Sequence, residues 1–102
     1  MKFLNFNNPK HRNQFYQSKE WRTLRTYILS SHPLCSSCLK SDILTPAEEI
    51  DHIIPLHIDP SKRLDTTNLQ PLCKKCHSSK TYQETLRPLY EKPKLANPLW
   101  TL

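Results

Sequence analysis

Four cysteines stand as two C-x-x-C pairs, Cys35–Cys38 and Cys73–Cys76, separated by residues 39–72. A two-residue spacer lets both sulfurs of a pair face one ion, and tetrahedral sulfur ligation is what Zn²⁺ prefers. Sulfur at all four positions marks a closed, structural site, without the vacant coordination position that substrate would need. A redox role would call for a single C-x-x-C at a helix start in a βαβ setting, a pattern this sequence lacks. His32, close to Cys35, is a reserve ligand. A second polar set surrounds the pairs: Asp51-His52, Asn68, and His77 directly after Cys76. Asp and His are ligands for Mg²⁺, Mn²⁺ or Ni²⁺ in an open, partly hydrated site. A neighbouring neutral His52 can take a proton from water near neutral pH. That is the equipment for hydrolysing a phosphodiester with one metal ion. Each residue alone has a plainer role, as a hydrogen-bonded histidine or a capping carboxylate, and their company decides the reading.

These residues need elements to hold them. Residues 1–14 are polar and rich in Asn and basic side chains, which reads as a flexible arm. From Gln17 the pattern is helical: Ser18 is an N-cap candidate, and Trp21, Leu24 and Ile28 fall at i, i+3 and i+7 with Leu29 beside them. Those apolar residues read as core, not as base-stacking platforms, and Arg22 and Arg25 lie off their stripe. The helix should stop near Ser31, because Pro33 disfavours helix in the residue before it. Residues 43–55 read as extended, with a strand in 47–53; a polar loop follows, and Leu69–Leu72 is a second short strand whose Pro71 marks an edge or strand end. A second helix spans about Lys75–Leu86. The proline-rich tail, 88–102, either wraps the domain with Trp100 docking or is mobile. The expectation is a small α+β domain over residues 15–87. Its two strands and helix would bring 51, 52 and 77 to one face, since zinc pins the start of the helix to the start of the hairpin. His11 and His57 read as solvated.

Composition narrows the function. There is no glycine, so a Walker phosphate loop, a dinucleotide fingerprint and a nucleophile elbow are all excluded. Backbone positions of positive φ must then fall to Asn or Asp. Leu, Ile and Phe supply 24 of 102 residues and Val none, little above the roughly 20% at which disorder becomes the default. A core this lean benefits from a staple. The net charge of +6 suits an anionic polymer through counterion release and steering. No apolar run reaches the ~18 residues of a membrane span, and Met1–Asn8 lacks a signal-peptide core. A cytoplasmic protein without disulfides is expected.

The segments Glu49-Ile-Asp-His-Ile-Ile-Pro55, Asn68-Leu-Gln-Pro-Leu-Cys73 and Cys76-His77-Ser-Ser-Lys80-Thr81 together resemble the HNH endonuclease family. The likeness is to small phage and bacterial members that brace the motif with two C-x-x-C pairs, and it spans roughly residues 18–84, the Trp21-x-x-Leu-Arg25 helix included. The resemblance implies a ββα-metal (His-Me finger) core with a structural four-cysteine zinc site and an N-terminal helix. It implies that Asp51 and His77 bind the catalytic metal, that His52 is the general base, and that Asn68 holds the loop so that His52 is aimed. It further implies products with a 5′ phosphate and a 3′ hydroxyl. DNA is the implied partner; Lys80, one turn beyond His77, is a candidate phosphate contact, with Lys74, Lys75 and Arg63 behind it. By analogy, phage members of this group act near genome packaging with a terminase.

The expected function is therefore a metal-dependent DNA endonuclease that nicks or cuts with little sequence information of its own. The rival is a zinc-stabilised nucleic-acid-binding module that keeps the scaffold without the chemistry, against which the intact Asp51, His52 and His77 speak. A third reading is a protein-interaction domain.

Overall fold

The computed structural model describes residues 5–86. The tail 88–102 and its Trp100 lie outside the described residues. Two helices lead. Asn8 caps the first by accepting from the Lys10 amide at 2.9 Å, and Pro9 occupies the first helical position, where its missing N–H costs nothing, so α1 runs Pro9–Tyr16. Part of the expected arm is thus built into the fold: Phe6 is 2% exposed and packs its ring 5.6 Å from Phe15. Helix α2 spans Lys19–Ser31, with Ser18 as its cap and Trp21 and Ile28 buried.

Pro33 ends α2 as expected, and the chain turns through the first cysteine pair. Cys35 and Cys38 flank and enter the short α3, Ser36–Leu39. Asp42 is the one residue of positive φ (59°) among those described, an Asx solution where glycine would ordinarily sit. A bridge between Leu34 and Pro46 closes this knuckle. Strands β1 (Glu49–His52) and β2 (Leu69–Leu72) form an antiparallel pair in the register Glu49↔Leu72, Ile50↔Pro71, Asp51↔Gln70 and His52↔Leu69. With only two strands, both are edges, so Pro71 loses nothing by lacking an N–H. Helix α4, Lys74–Leu86, follows at once. Cys73 and Cys76 sit at its first turn, where the amide of His77 donates to the Cys73 carbonyl at 3.0 Å; the second knuckle turns as helix and needs no glycine.

Strand alternation divides the work. Ile50 and His52 face α1 and α2, in a core with Phe6, Phe15, Trp21, Ile28, Leu56 and Leu69. Glu49 and Asp51 face α4, against His77 and Lys80. Asp51 and His52 leave the strand on alternate sides, yet both line one cleft with His77, so the expectation that 51, 52 and 77 come together holds at the level of the cleft and not of one strand face. A second, smaller core gathers Leu72 with the buried Cys35 and Cys73.

Candidate functional site

The four sulfurs converge. All of Cys35, Cys38, Cys73 and Cys76 place Sγ within 4.8 Å of one another, and Cys38 and Cys76 are 3.7 Å apart. Zn–S bonds of ~2.3 Å give a tetrahedron with edges of about 3.8 Å, so the spacing fits a zinc ion. The thiols by themselves are mutually frustrated. Burial would raise Cys35, yet hydrogen bonds with the backbone and thiols of Cys73 and Cys38 bring it down to about 7. Cys76 goes up to about 12, from burial and from its thiol neighbours. Only a cation lets all four be thiolates together.

His52 is 5% exposed, beneath an aromatic cover. Trp21 stacks on its ring at 5.0 Å and 20°, with Phe15 and Tyr16 at 5.9 and 6.3 Å. Trp21 is thus core, as its helical position implies, and also the plate on which His52 rests. His52 Nε2 lies 2.9 Å from the Arg63 carbonyl; a carbonyl only accepts, so Nε2 carries the proton and Nδ1 keeps a basic lone pair. Burial depresses the His52 pKa below its usual 6.5, against the opposing pull of the Arg63 carbonyl and Asp51. The neutral form, which a base requires, is favoured.

Asn68 fixes that arrangement. It is fully buried, accepts from the Ile54 amide at 2.7 Å, and donates to the carbonyls of Ile54 and Lys62, each at 3.2 Å. The residue after Lys62 is Arg63, whose carbonyl holds His52. Asn68 therefore ties the loop to the strand end at the point where the loop grips the imidazole. Arg63 enters the site through its backbone; its guanidinium turns back to the Pro60 carbonyl at 3.1 Å.

On the opposite face, Asp51 Oδ1 stands 3.5 Å from His77 Nε2. Asp51 Oδ2 accepts from Gln70 at 3.0 Å and pairs with Lys80 at 3.2 Å, leaving Oδ1 for His77. His77 Nδ1 is taken by the Glu49 carboxylate. With Nδ1 so held, His77 turns Nε2 toward the Asp51 carboxylate, and the two atoms converge as a nitrogen and an oxygen donor on one point. Cis ligands at 2.0–2.1 Å stand about 3.0 Å apart in an octahedral site, so 3.5 Å is close to a two-ligand seat. Glu49 belongs to the quoted motif, but its role escaped the sequence reading. The i, i+2 spacing of Glu49 and Asp51 on a strand is the signal that they share a face.

Lys80 has no free donor to offer a phosphate. Its ammonium bonds the His52 carbonyl at 3.0 Å and pairs with Asp51 and with Glu84 at 2.6 Å, three acceptors for three protons. It neutralises Asp51 instead of reaching outward. Lys74 and Lys75 are exposed on the first turn of α4 and are not among the lining residues of the cleft that opens over the site. That cleft, about 710 Å³, is lined by Asp51, His52, His77 and Glu49 together, and by Arg12, Arg22 and Arg25 from α1 and α2. His32, the reserve ligand, is not part of the four-cysteine cluster, and neither it nor His11 lines the cleft, whereas the exposed His57 is among the lining residues.

Comparison with known proteins agrees with this geometry. The family model for the HNH endonuclease matches residues 35–83. A probable HNH endonuclease of Lactococcus phage SK1 is 33% identical over 72 residues, which is 66% of this chain and 74% of that protein. The crystal structure of an HNH endonuclease from the deep-sea thermophilic bacteriophage GVE2, determined with a manganese ion, superimposes with a TM-score of 0.74 at 43% identity; the match covers 79% of this chain and 89% of that one. Motif, fold and relatives converge, and this chain belongs to the HNH endonuclease family.

Proposed function

We propose that the protein is a metal-dependent endonuclease that hydrolyses DNA phosphodiester bonds with one divalent cation and His52 as general base. The observation that carries this reading is the facing pair of Asp51 Oδ1 and His77 Nε2 at 3.5 Å, sharing one cleft with His52, whose Nε2 is held at the Arg63 carbonyl. Mg²⁺, Mn²⁺ or Ni²⁺ fits the mixed oxygen and nitrogen donors, and the manganese of the phage relative supports that choice. Zinc belongs in the four-sulfur site, whose soft ligands and closed shell suit a structural ion.

The side chains divide the reaction. Asp51 and His77 would hold the cation, which when bound supplies neutralisation of charge growing on the phosphate and on the leaving 3′ oxygen. Glu49 fixes the His77 ring so that Nε2 points inward. His52 Nδ1 accepts the proton of the attacking water; the water oxygen bonds to phosphorus and the P–O3′ bond breaks, the leaving oxygen taking a proton from solvent water, which gives a 5′ phosphate and a 3′ hydroxyl. Asn68 and Trp21 keep the imidazole aimed. By the same analogy with phage members, genome packaging is the setting in which this nuclease would act. No described helix is long and apolar enough to cross a membrane, in keeping with a nuclease that meets DNA in the cytoplasm.

Purified protein incubated with supercoiled plasmid and Mg²⁺ or Mn²⁺ should convert it to nicked or linear form. His52→Ala should lower the rate ~10²–10⁴-fold. Absence of cutting with any divalent ion, or equal cutting by the variant, would leave only the nucleic-acid-binding module.

A further inference from the structure

The site wall formed by the hairpin and α4 is rich in carboxylates. Asp51, Glu49 and Glu84 all line the cleft, and Lys80, the cation beside them, is consumed by Asp51, Glu84 and the His52 carbonyl. A polyanionic strand entering this cleft meets repulsion on that side except where a metal ion sits. The opposite wall, built by α1 and α2, has the reverse character. Arg12, Arg22 and Arg25 line it, with no acidic side chain among the lining residues from those helices.

The three guanidiniums are not equivalent. Arg12 Nη1 bonds the carbonyls of Phe6 and Asn7 at 2.8 and 3.2 Å and so secures the N-terminal turn. Arg25 spends one N–H on the Glu48 carbonyl at 3.0 Å, which orients the group and leaves four of its five donors. Arg22 is exposed and pairs with no carboxylate among the described residues. Arg22 and Arg25 are three residues apart, so they share one face of α2 at a separation of ~5–6 Å. That face is next to Trp21, the plate beneath His52. The same helix therefore supports the general base and presents the cations.

We infer that Arg22 and Arg25 form a phosphate clamp that holds the DNA backbone beside the scissile bond, across the cleft from Asp51 and His77. This rests on the DNA endonuclease reading and names its substrate-binding residues. Lys74 and Lys75 within the second cysteine pair and Lys80 after it, suggested by the sequence, do not line the cleft; the clamp comes from the helix before the first pair. Guanidinium suits the task because its planar fork can take two phosphate oxygens at once.

The test uses full-length, zinc-loaded protein and a short fluorescent DNA duplex. Binding is measured by anisotropy across a salt series without added catalytic metal, and cleavage is measured with Mn²⁺. Losing two phosphate contacts should make the plot of log K against log salt shallower by about 1.8. Wild type should accordingly lose roughly 12-fold more affinity than Arg22→Ala/Arg25→Ala over a fourfold rise in salt. The double variant should raise KM for DNA at least tenfold, and more than it lowers kcat. Arg22→Lys/Arg25→Lys should restore the salt slope, and Arg22→Ala alone, which breaks no side-chain hydrogen bond among the described residues, should show about half the effect. An unchanged slope in both alanine variants, or a larger loss in Lys74→Ala/Lys75→Ala, overturns the clamp while wild-type cleavage keeps the endonuclease reading. Wild type that neither binds nor cuts the duplex overturns both.

Discussion

Replacing Asn68 by alanine tests whether one buried amide couples the stability of the fold to the aim of the catalytic base. Asn68 makes three hydrogen bonds with no exposed surface of its own. Alanine leaves the Ile54 N–H and C=O stranded, because Ile54 is itself 2% exposed; the half-buried Lys62 can turn its carbonyl toward water. Two stranded groups at ~1 kcal/mol or more each, plus one lost bond, give about 3 kcal/mol. For a domain of this size that corresponds to a fall of roughly 12–24 °C in Tm. The same change frees the loop that carries the Arg63 carbonyl, so His52 loses its Nε2 acceptor, and cleavage at a temperature where the variant is folded should fall ~10²-fold. Asn68→Asp separates the two effects of the side chain: it keeps the acceptor for the Ile54 amide but sets a carboxylate oxygen against two carbonyls, so it should not rescue. Thermal melting by circular dichroism with zinc present, followed by plasmid cleavage at 20 °C below each midpoint, measures both quantities. An Asn68→Ala protein that melts within about 4 °C of wild type and cuts within a factor of ten would refute the coupling.

Stripping zinc with a strong chelator should unfold the domain, seen as loss of the helical dichroism signal and of a cooperative melt, because the second core consists largely of the cysteines themselves; unchanged melting would refute it. Burial lowers the His52 pKa, so the base stays deprotonated to lower pH than a free imidazole, and the acidic limb of the cleavage rate should lie below pH 6.5. A limb above 6.5 would mean that His52 is not the titrating base. Glu49→Ala removes the acceptor at His77 Nδ1 and should weaken Mn²⁺ binding ~10–100-fold, read by titration calorimetry on zinc-loaded protein; equal affinity would show that Glu49 leaves the ligand unaffected.

What the sequence disclosed and what it withheld have different physical origins. Cys-x-x-Cys spacing, the Ser18 cap and the Pro33 stop are local, so they can be read from neighbours along the chain. Helix α1 was equally readable, since Asn8 followed by Pro9 is an N-cap and first-turn signature, but its polar composition hid it. His52 and Asp51 adjoin in sequence and leave the strand on alternate sides, which is why one is held by α2 and the other by α4 while both line the cleft. Lys80 looked like an outward cation because nothing local reveals that three acceptors from two elements converge on it. The arginine wall is legible only once α2 is seen to cross the hairpin.

Helix α4 gives consecutive residues to two different centres: Cys76 to the sulfur cluster and His77 to the cleft. Each residue advances a helix by about 100°, so a single codon inserted between them would swing the imidazole away from Asp51 while leaving the sulfurs in place. The Cys76–His77 junction therefore tolerates no slippage of even one residue. A lineage that acquired one would keep its shape and lose its chemistry in the same step.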